Sequence, residues 1–259
     1  MTTTDTIEDA RRVSRNLDAV VVRLSDSVTI IHGDCRDVLP LACDAVVTDP
    51  PYGIDLDADF SSLRGTPDFK RKHGNYSGKT HQRIAGDKEP FDPKPWLGKP
   101  CVFFGADHYA SRLPDGGTWH VWDKREELGS NMLADFETVW TSGMSGPSRI
   151  IRHKWLGYMR RSEVGDHFHP TQKPIAVVAW CMDKAKVPEG ATVLDPYMGS
   201  GTTGVACIRT GRRFIGIERD PAHFATMRTR LENELRQGLL PLKHNIGICV
   251  KPPKETVQT

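Results

Sequence analysis

Long apolar runs, paired cysteines and an excess of charge of one sign are all missing from this 259-residue chain. No stretch approaches the ~18 consecutive apolar residues of a membrane-spanning helix, so no membrane span is expected. No C-x-x-C pair occurs, and Cys35, Cys43, Cys101, Cys181, Cys207 and Cys249 stand apart. Scattered in mostly apolar surroundings, they are expected to be reduced thiols of a cytoplasmic protein, neither disulfides nor metal ligands. The formal net charge is only +2, so a polyanion would have to be met by a local patch. The first residues include acids and lack an apolar core, which argues against a signal peptide. With 38% hydrophobic and 26% charged residues, the chain has the composition of a soluble globular protein, long enough for one large α/β domain or two small ones.

Along the chain, apolar runs at Val20 to Leu24 and Val28 to His32 flank Ser25-Asp26-Ser27, a hairpin-like turn. Arg36 to Leu41 reads as a short helical link to a buried strand, Ala45 to Thr48. Further strands are expected at Cys101 to Gly105, Trp119 to Trp122 and Ile150-Ile151. Met132 to Trp140 has helical spacing, with Leu133, Phe136 and Val139 on one face. A buried helix follows at Pro174 to Lys184, then a strand from Ala191 to Leu194, a small-residue helix and a strand from Arg213 to Ile217. A charged amphipathic helix, with Pro221 in its first turn, runs to Leu235. Strands alternating with helices predict an α/β fold, a doubly wound and mostly parallel sheet.

Two stretches carry chemistry. Asp49-Pro50-Pro51-Tyr52 ends the Ala45 to Thr48 strand abruptly, because neither proline can donate to a ladder and each fixes its own backbone. The stiff corner presents a carboxylate, the Pro50 carbonyl and an aromatic ring. Two acceptors can take both protons of an amino group on a planar ring while the tyrosine stacks on that ring. Taken alone, the corner fits a proline-rich turn equally well. The second stretch is Asp195 to Glu218: strand, glycine-rich turn, helix, strand, and an acid 23 positions on. This is nucleotide-binding logic, with glycines for close backbone approach, a helix N-terminus for an anion and a carboxylate for ribose hydroxyls. No lysine follows the second glycine, which argues against an NTPase phosphate loop, and the G-S-G-T-T-G spacing does not fit a dinucleotide fingerprint.

Asp-Pro-Pro-Tyr at 49–52, His169-Pro170-Thr171-Gln172-Lys173-Pro174 and Asp195-Pro196-Tyr197-Met198-Gly199-Ser200-Gly201-Thr202-Thr203-Gly204 together resemble the S-adenosylmethionine-dependent amino-methyltransferases of DNA. Their order is similar to the permuted β group. Gly33-Asp34, Trp122-Asp123-Lys124 and Phe214 to Glu218 are similar to further segments, so the resemblance spans roughly residues 28–56 and 100–235. One departure is Tyr197, where many members carry phenylalanine. The resemblance implies a Rossmann-like sheet of strand order 3-2-1-4-5-7-6 within a methyltransferase domain at 18–237; the polar residues 1–17 and the patternless residues 238–259 are expected to be flexible tails. It implies S-adenosyl-L-methionine as cofactor, with Asp195, Tyr197, Gly199, Ser200, Gly201 and Thr202 around its methionine part. Lys173 and its neighbours would hold its carboxylate, Glu218 its ribose, and Asp34 and Cys35 would lie near its adenine. No metal is implied.

Catalysis falls by the same resemblance to Asp49, Pro50, Pro51 and Tyr52, acting on a base flipped out of double-stranded DNA. Aspartate at the head of the corner leans to adenine N6, where serine would lean to cytosine N4. Methylation of RNA or of protein glutamine, and a non-catalytic DNA-binding role, are the rival readings. Two basic segments are expected to meet DNA: residues 64–83, with Lys70, Arg71 and Lys72, and residues 149–161, with Arg152, Lys154, Arg160 and Arg161 and no acid. Residues 56–95, rich in Gly, Pro, Ser and charge, are expected to be a DNA-recognition insertion that closes over the base. Pairing into a homodimer is common in the family, but no residue here carries it.

Overall fold

The computed structural model describes residues 19–38, 40–55, 87–130, 134–143, 146–156, 159–163 and 172–237. In chain order the strands are β1 (Val20–Arg23), β2 (Val28–His32), β3 (Ala45–Thr48), β4 (Cys101–Phe104), β5 (Thr118–Asp123), β6 (Phe136–Thr141), β7 (Ile150–Arg152), β8 (Trp155–Leu156), β9 (Met159–Arg160), β10 (Thr192–Asp195) and β11 (Arg213–Glu218). The helices are α1 (Ile175–Lys184), α2 (Thr202–Arg209) and α3 (Pro221–Arg236).

Nine strands form one sheet in the order β1-β2-β11-β10-β3-β4-β6-β5-β7, and β8 and β9 pair separately. The run β2-β11-β10-β3-β4 is parallel throughout. β6 is antiparallel to both of its neighbours. Numbered from the glycine-loop strand β10, the run from β2 to β5 reads 3-2-1-4-5-7-6, the order the resemblance implied. The chain leaves β10 toward β11 on one side and β3 toward β4 on the other. The β10/β3 boundary is therefore a topological switch point, where open α/β sheets leave a crevice at the carboxyl ends of the strands.

The central strands are buried on both faces, so their sequences read as continuous apolar runs. Neighbouring residues point to opposite sides: Ile30, Val47, Phe104 and Val193 to one, and Ile31, Val46, Phe103 and Leu194 to the other. The first face is covered by Val178, Cys181 and Met182 of α1, Val205 of α2, and Met227 and Leu231 of α3. The second is covered, among the described residues, by Leu41, Phe91, Trp96 and Tyr109 from loops and short 3-10 turns.

Three expectations change. Phe136–Thr141 is a strand, not part of a helix. Its apolar residues fit a three-residue spacing, but Thr138, Val139 and Thr141 are β-branched and the segment is hydrogen-bonded on both edges, which decides against a helix. The link after β2 is a single turn closed by the Asp37 amide on the Asp34 carbonyl, not a helix. The end of the expected insertion packs on the fold, since Phe91 is buried in the second-face core. Residues 56–86, with Lys70, Arg71 and Lys72, lie outside the described residues, as do 1–18, His169 to Thr171 and 238–259.

Candidate active site

β3 stops where expected, and its carboxyl end lies beside that of β10, where the Thr48 hydroxyl donates to Asp195 Oδ1 at 2.8 Å. The next residue, Asp49, opens the crevice. The Tyr52 hydroxyl donates to Asp49 Oδ1 at 2.5 Å, and the Lys173 ammonium, carried in from the segment before α1, meets Asp49 Oδ2 at 2.6 Å. The same ammonium reaches Glu137 Oε1 on β6 at 3.0 Å, and the Tyr52 hydroxyl lies 3.2 Å from that oxygen. Lys124, one residue past β5, meets Glu137 Oε2 at 3.4 Å. Two carboxylates and two ammoniums thus close a neutral network, with side-chain exposures of 8% for Lys173, 24% for Asp49 and 15% for Glu137.

Burial raises the Asp49 carboxyl above its usual range, and the Glu137 charge adds to this against the pull of Lys173. For Glu137 burial pushes the same way, but Lys173 and Lys124 together outweigh it and hold that carboxyl low. Lys173 is desolvated too, yet its two carboxylates keep it charged and raise its pKa. Tyr52 is held well above the ordinary phenol range, chiefly by burial and then by the Asp49 charge.

The corner is pinned from behind. The Gly53 amide donates to Asp87 Oδ1 at 2.8 Å and the Asp55 amide to the Asp87 carbonyl at 2.7 Å. The Tyr52 ring stacks on His108, with centroids 4.9 Å apart, and lies against Gly105 so closely that a Cβ there would sit 2.1 Å from Tyr52 Cζ. Gly105 also has φ +59°. Gly105→Ala therefore combines a left-handed backbone costing an L-residue about 1–2 kcal/mol with displacement of the Tyr52 ring. A lowered melting temperature is expected together with lost activity, measured by thermal unfolding and turnover on one preparation. An unchanged melt would show that the ring is not held there.

Across the switch point the β10 turn forms the other half of the crevice. Gly199 and Gly201 adopt φ +44° and +71°, and a Cβ on Gly201 would meet Met227 Cγ at 2.5 Å, so the turn packs against α3 only with glycine. Gly201 caps α2 without a side-chain hydrogen bond, which leaves the amides of the first turn open to an anion. Glu218, at the end of β11, accepts from the Gly199 amide at 3.0 Å and the Asp220 amide at 2.8 Å. Asp195 is turned inward: Thr48 and the Tyr197 amide, at 3.1 Å, hold its carboxylate, and burial pushes its pKa to about 6. Ser200 Oγ and Thr202 Oγ1 lie 3.0 Å apart, and Thr202 Oγ1 donates to the Lys173 carbonyl at 3.1 Å.

The corner and the glycine turn each follow a strand, as expected, and the structure sets those strands, β3 and β10, side by side. The resemblance assigned Lys173 and its neighbours to the cofactor's carboxylate; in the structure the Lys173 ammonium lies between Asp49 and Glu137, and its carbonyl accepts from Thr202 of the glycine turn. Asp34 binds Arg36 at 2.5 and 2.9 Å, and Cys35 is buried in the second-face core. Glu137 was missed, because its strand resembled a helix. A lone acid within the β-branched run Glu137 to Thr141 was the available signal. The basic segment is partly neutralised by acids distant in sequence: Arg152 pairs with Asp123 at 3.6 Å, and Glu126 takes Lys154 at 3.7 Å and Arg161 at 2.9 Å. Arg160 lies over the Trp155 ring at 4.2 Å. The Trp155 amide bonds the Lys124 carbonyl at 2.9 Å, which joins this basic hairpin to the network. Among the described residues no helix is long and apolar enough to cross a membrane, and no cluster of His, Cys, Asp and Glu could hold a metal.

Residues 116–228 match the family model described as DNA methylase, of the N6/N4 type. The Type II methyltransferase M2.DpnII of Streptococcus pneumoniae is 36% identical over 116 residues, 45% of this chain and 37% of that protein. M2.LlaDCHI of Lactococcus lactis subsp. cremoris is 36% identical over 101 residues, 39% of this chain and 32% of that protein. The matches thus span about a third of these relatives' length. The solved M1.HpyAVI–SAM complex aligns over 79% of this chain and 98% of its own at 23% identity, with a TM-score of 0.47.

Proposed function

We propose, from the match of residues 116–228 to the N6/N4 DNA methylase family model, that this chain transfers a methyl group from S-adenosylmethionine to the N6 amino group of adenine in double-stranded DNA. The observation that carries the proposal is the pairing across the switch point of an amine-accepting corner, Asp49 to Tyr52, with a glycine turn whose cap residue uses no side chain on the first-turn amides of α2.

The crevice fits the cofactor by its donor set. The open amides at the start of α2 suit a carboxylate, and the Glu218 carboxylate, with lone pairs beyond those used by Gly199 and Asp220, suits ribose hydroxyls. Asp34 and Cys35 at the end of β2 are assigned to the adenine side, with Tyr197, Ser200, Gly201 and Thr202 along the turn. When bound, S-adenosylmethionine supplies an electrophilic methyl group on a sulfonium.

The protein's contribution is to the amine. An exocyclic amino nitrogen delocalises its lone pair into the ring and is a poor nucleophile. Asp49 and the Pro50 carbonyl accept its two protons and favour a pyramidal nitrogen. The interaction strengthens as positive charge develops on nitrogen, so it lowers the barrier rather than only tightening binding. Pro51 fixes the corner's backbone. Tyr52 offers a ring edge-bound to the network, and a base stacked there would share it with His108 or replace that ring. Arg152, Lys154, Arg160 and Arg161, on the hairpin joined to Lys124, are assigned to the DNA backbone.

Aspartate at position 49 favours adenine over cytosine. The test is digestion of DNA incubated with the protein and labelled S-adenosylmethionine, with mass analysis of the nucleosides. N6-methyladenine is expected. N4-methylcytosine alone would overturn the base assignment, and no labelled nucleoside would overturn the reaction.

A further inference from the structure

Glu137 sits in the corner without belonging to any of the motifs that mark it. It is carried by β6, flanked on both edges, and its carboxylate is nearly buried. Its Oε1 shares the Lys173 ammonium with Asp49 Oδ2, at 3.0 and 2.6 Å, and shares the Tyr52 hydroxyl with Asp49 Oδ1, at 3.2 and 2.5 Å. Every donor that occupies Asp49 side-on is therefore contested by one second carboxylate. Lys124 anchors the far oxygen of that carboxylate at 3.4 Å, so Glu137 cannot move to Lys173 outright.

An isolated Asp49–Lys173 pair would be a tight ion pair with little basicity left for a third group. A like charge beside Asp49 and a rival for the ammonium act against that. We propose that Glu137 is a positioning residue for the target amine: by sharing the Lys173 ammonium and the Tyr52 hydroxyl with Asp49, it keeps Asp49 a strong acceptor oriented into the crevice. The proposal rests on the methyl transfer argued above. Each Asp49 oxygen keeps a second lone pair, and one of these is what the amine meets. The charged and titratable groups facing Asp49 are Lys173 before α1, Tyr52 in its own corner, Glu137 on β6, Tyr109 in the 3-10 turn after β4, and Asp195 on β10. Lys124 acts through Glu137, and His108 through the Tyr52 ring.

Glu137→Gln in the full chain keeps the side chain's shape and removes its charge. Methylation of DNA is expected to fall roughly tenfold in kcat/KM, the loss appropriate to loosening a charge-assisted contact. Cofactor affinity is expected to stay at the wild-type value. The acid limb of the kcat/KM profile should move to lower pH, because removing a like charge lets Asp49 ionise more readily. Glu137→Asp should give an intermediate limb, and it decides the matter if the glutamine variant does not fold. A rate loss with an unmoved limb would reduce Glu137 to a structural role, and a wild-type rate would remove it altogether; either overturns the proposal. A wild-type protein that methylates no nucleoside overturns the underlying reaction and the proposal with it, a result distinguishable from both.

Discussion

Asp49→Ala is expected to lower methyl transfer by about a thousandfold or more, the range lost when a positioned acceptor is deleted from a developing charge. S-adenosylmethionine affinity should remain close to wild type. The separation follows from where the carboxylate points. Its bonds go to Tyr52 and Lys173, whereas the glycine turn is held by Glu218 through the Gly199 amide. Without Asp49 the Lys173 ammonium keeps Glu137 as partner, so no buried charge is left alone and the fold should persist. Glu218→Ala is expected to do the reverse. It frees the Gly199 and Asp220 amides and removes the carboxylate assigned to the ribose, so cofactor binding weakens first. Equilibrium titration of the cofactor against both variants, beside their turnover on DNA, measures the two effects. Equal loss of cofactor affinity in both would mean that the crevice is one site and not two halves.

The parts of this site that were legible in sequence are those in which backbone chemistry fixes the conformation. Two prolines after a β-branched run can hardly do anything but end β3, and Gly199 and Gly201 announce a turn that other residues cannot make. Strand order followed from the resemblance and not from any local pattern. Contacts made by long side chains across the sheet were illegible. Lys173 lies next to the glycine turn in backbone, so its motif pointed to the cofactor, yet its ammonium swings to Asp49, 124 positions away in sequence. Glu137 reaches the corner only because β6 inserts between β4 and β5, a topology that no residue between 132 and 140 encodes by itself. The charge of the basic hairpin was overstated for the same reason, since Asp123 and Glu126 approach it from the end of β5.

Lys173→Met should produce the largest loss of stability, and its dependence on pH carries the information. The variant removes the ammonium that Asp49 and Glu137 share while leaving both carboxylates in place. Breaking a buried pair by deleting one partner costs about 3–5 kcal/mol, and the 24% exposure of Asp49 argues for the lower end. In the wild type Lys173 lowers the Asp49 pKa against burial and the Glu137 charge, both of which raise it. Removing Lys173 therefore raises the folded-state pKa of Asp49 further above its unfolded value of 3.8. A carboxyl with a raised folded pKa holds its proton more tightly when folded, so stability is lost as pH rises above the unfolded pKa and through the folded one. The variant's deficit should accordingly be small near pH 4, grow steadily toward neutrality and level off beyond its own folded pKa. Titration of Lys173 itself does not mask this, because its raised pKa keeps the ammonium charged throughout this range and only the carboxylates change state. Chemical denaturation of both proteins at pH 4.5, 6 and 7.5 measures the deficit. A deficit independent of pH would mean that Lys173 acts by packing alone, and a deficit shrinking with pH would mean that Asp49 and Glu137 do not share its charge.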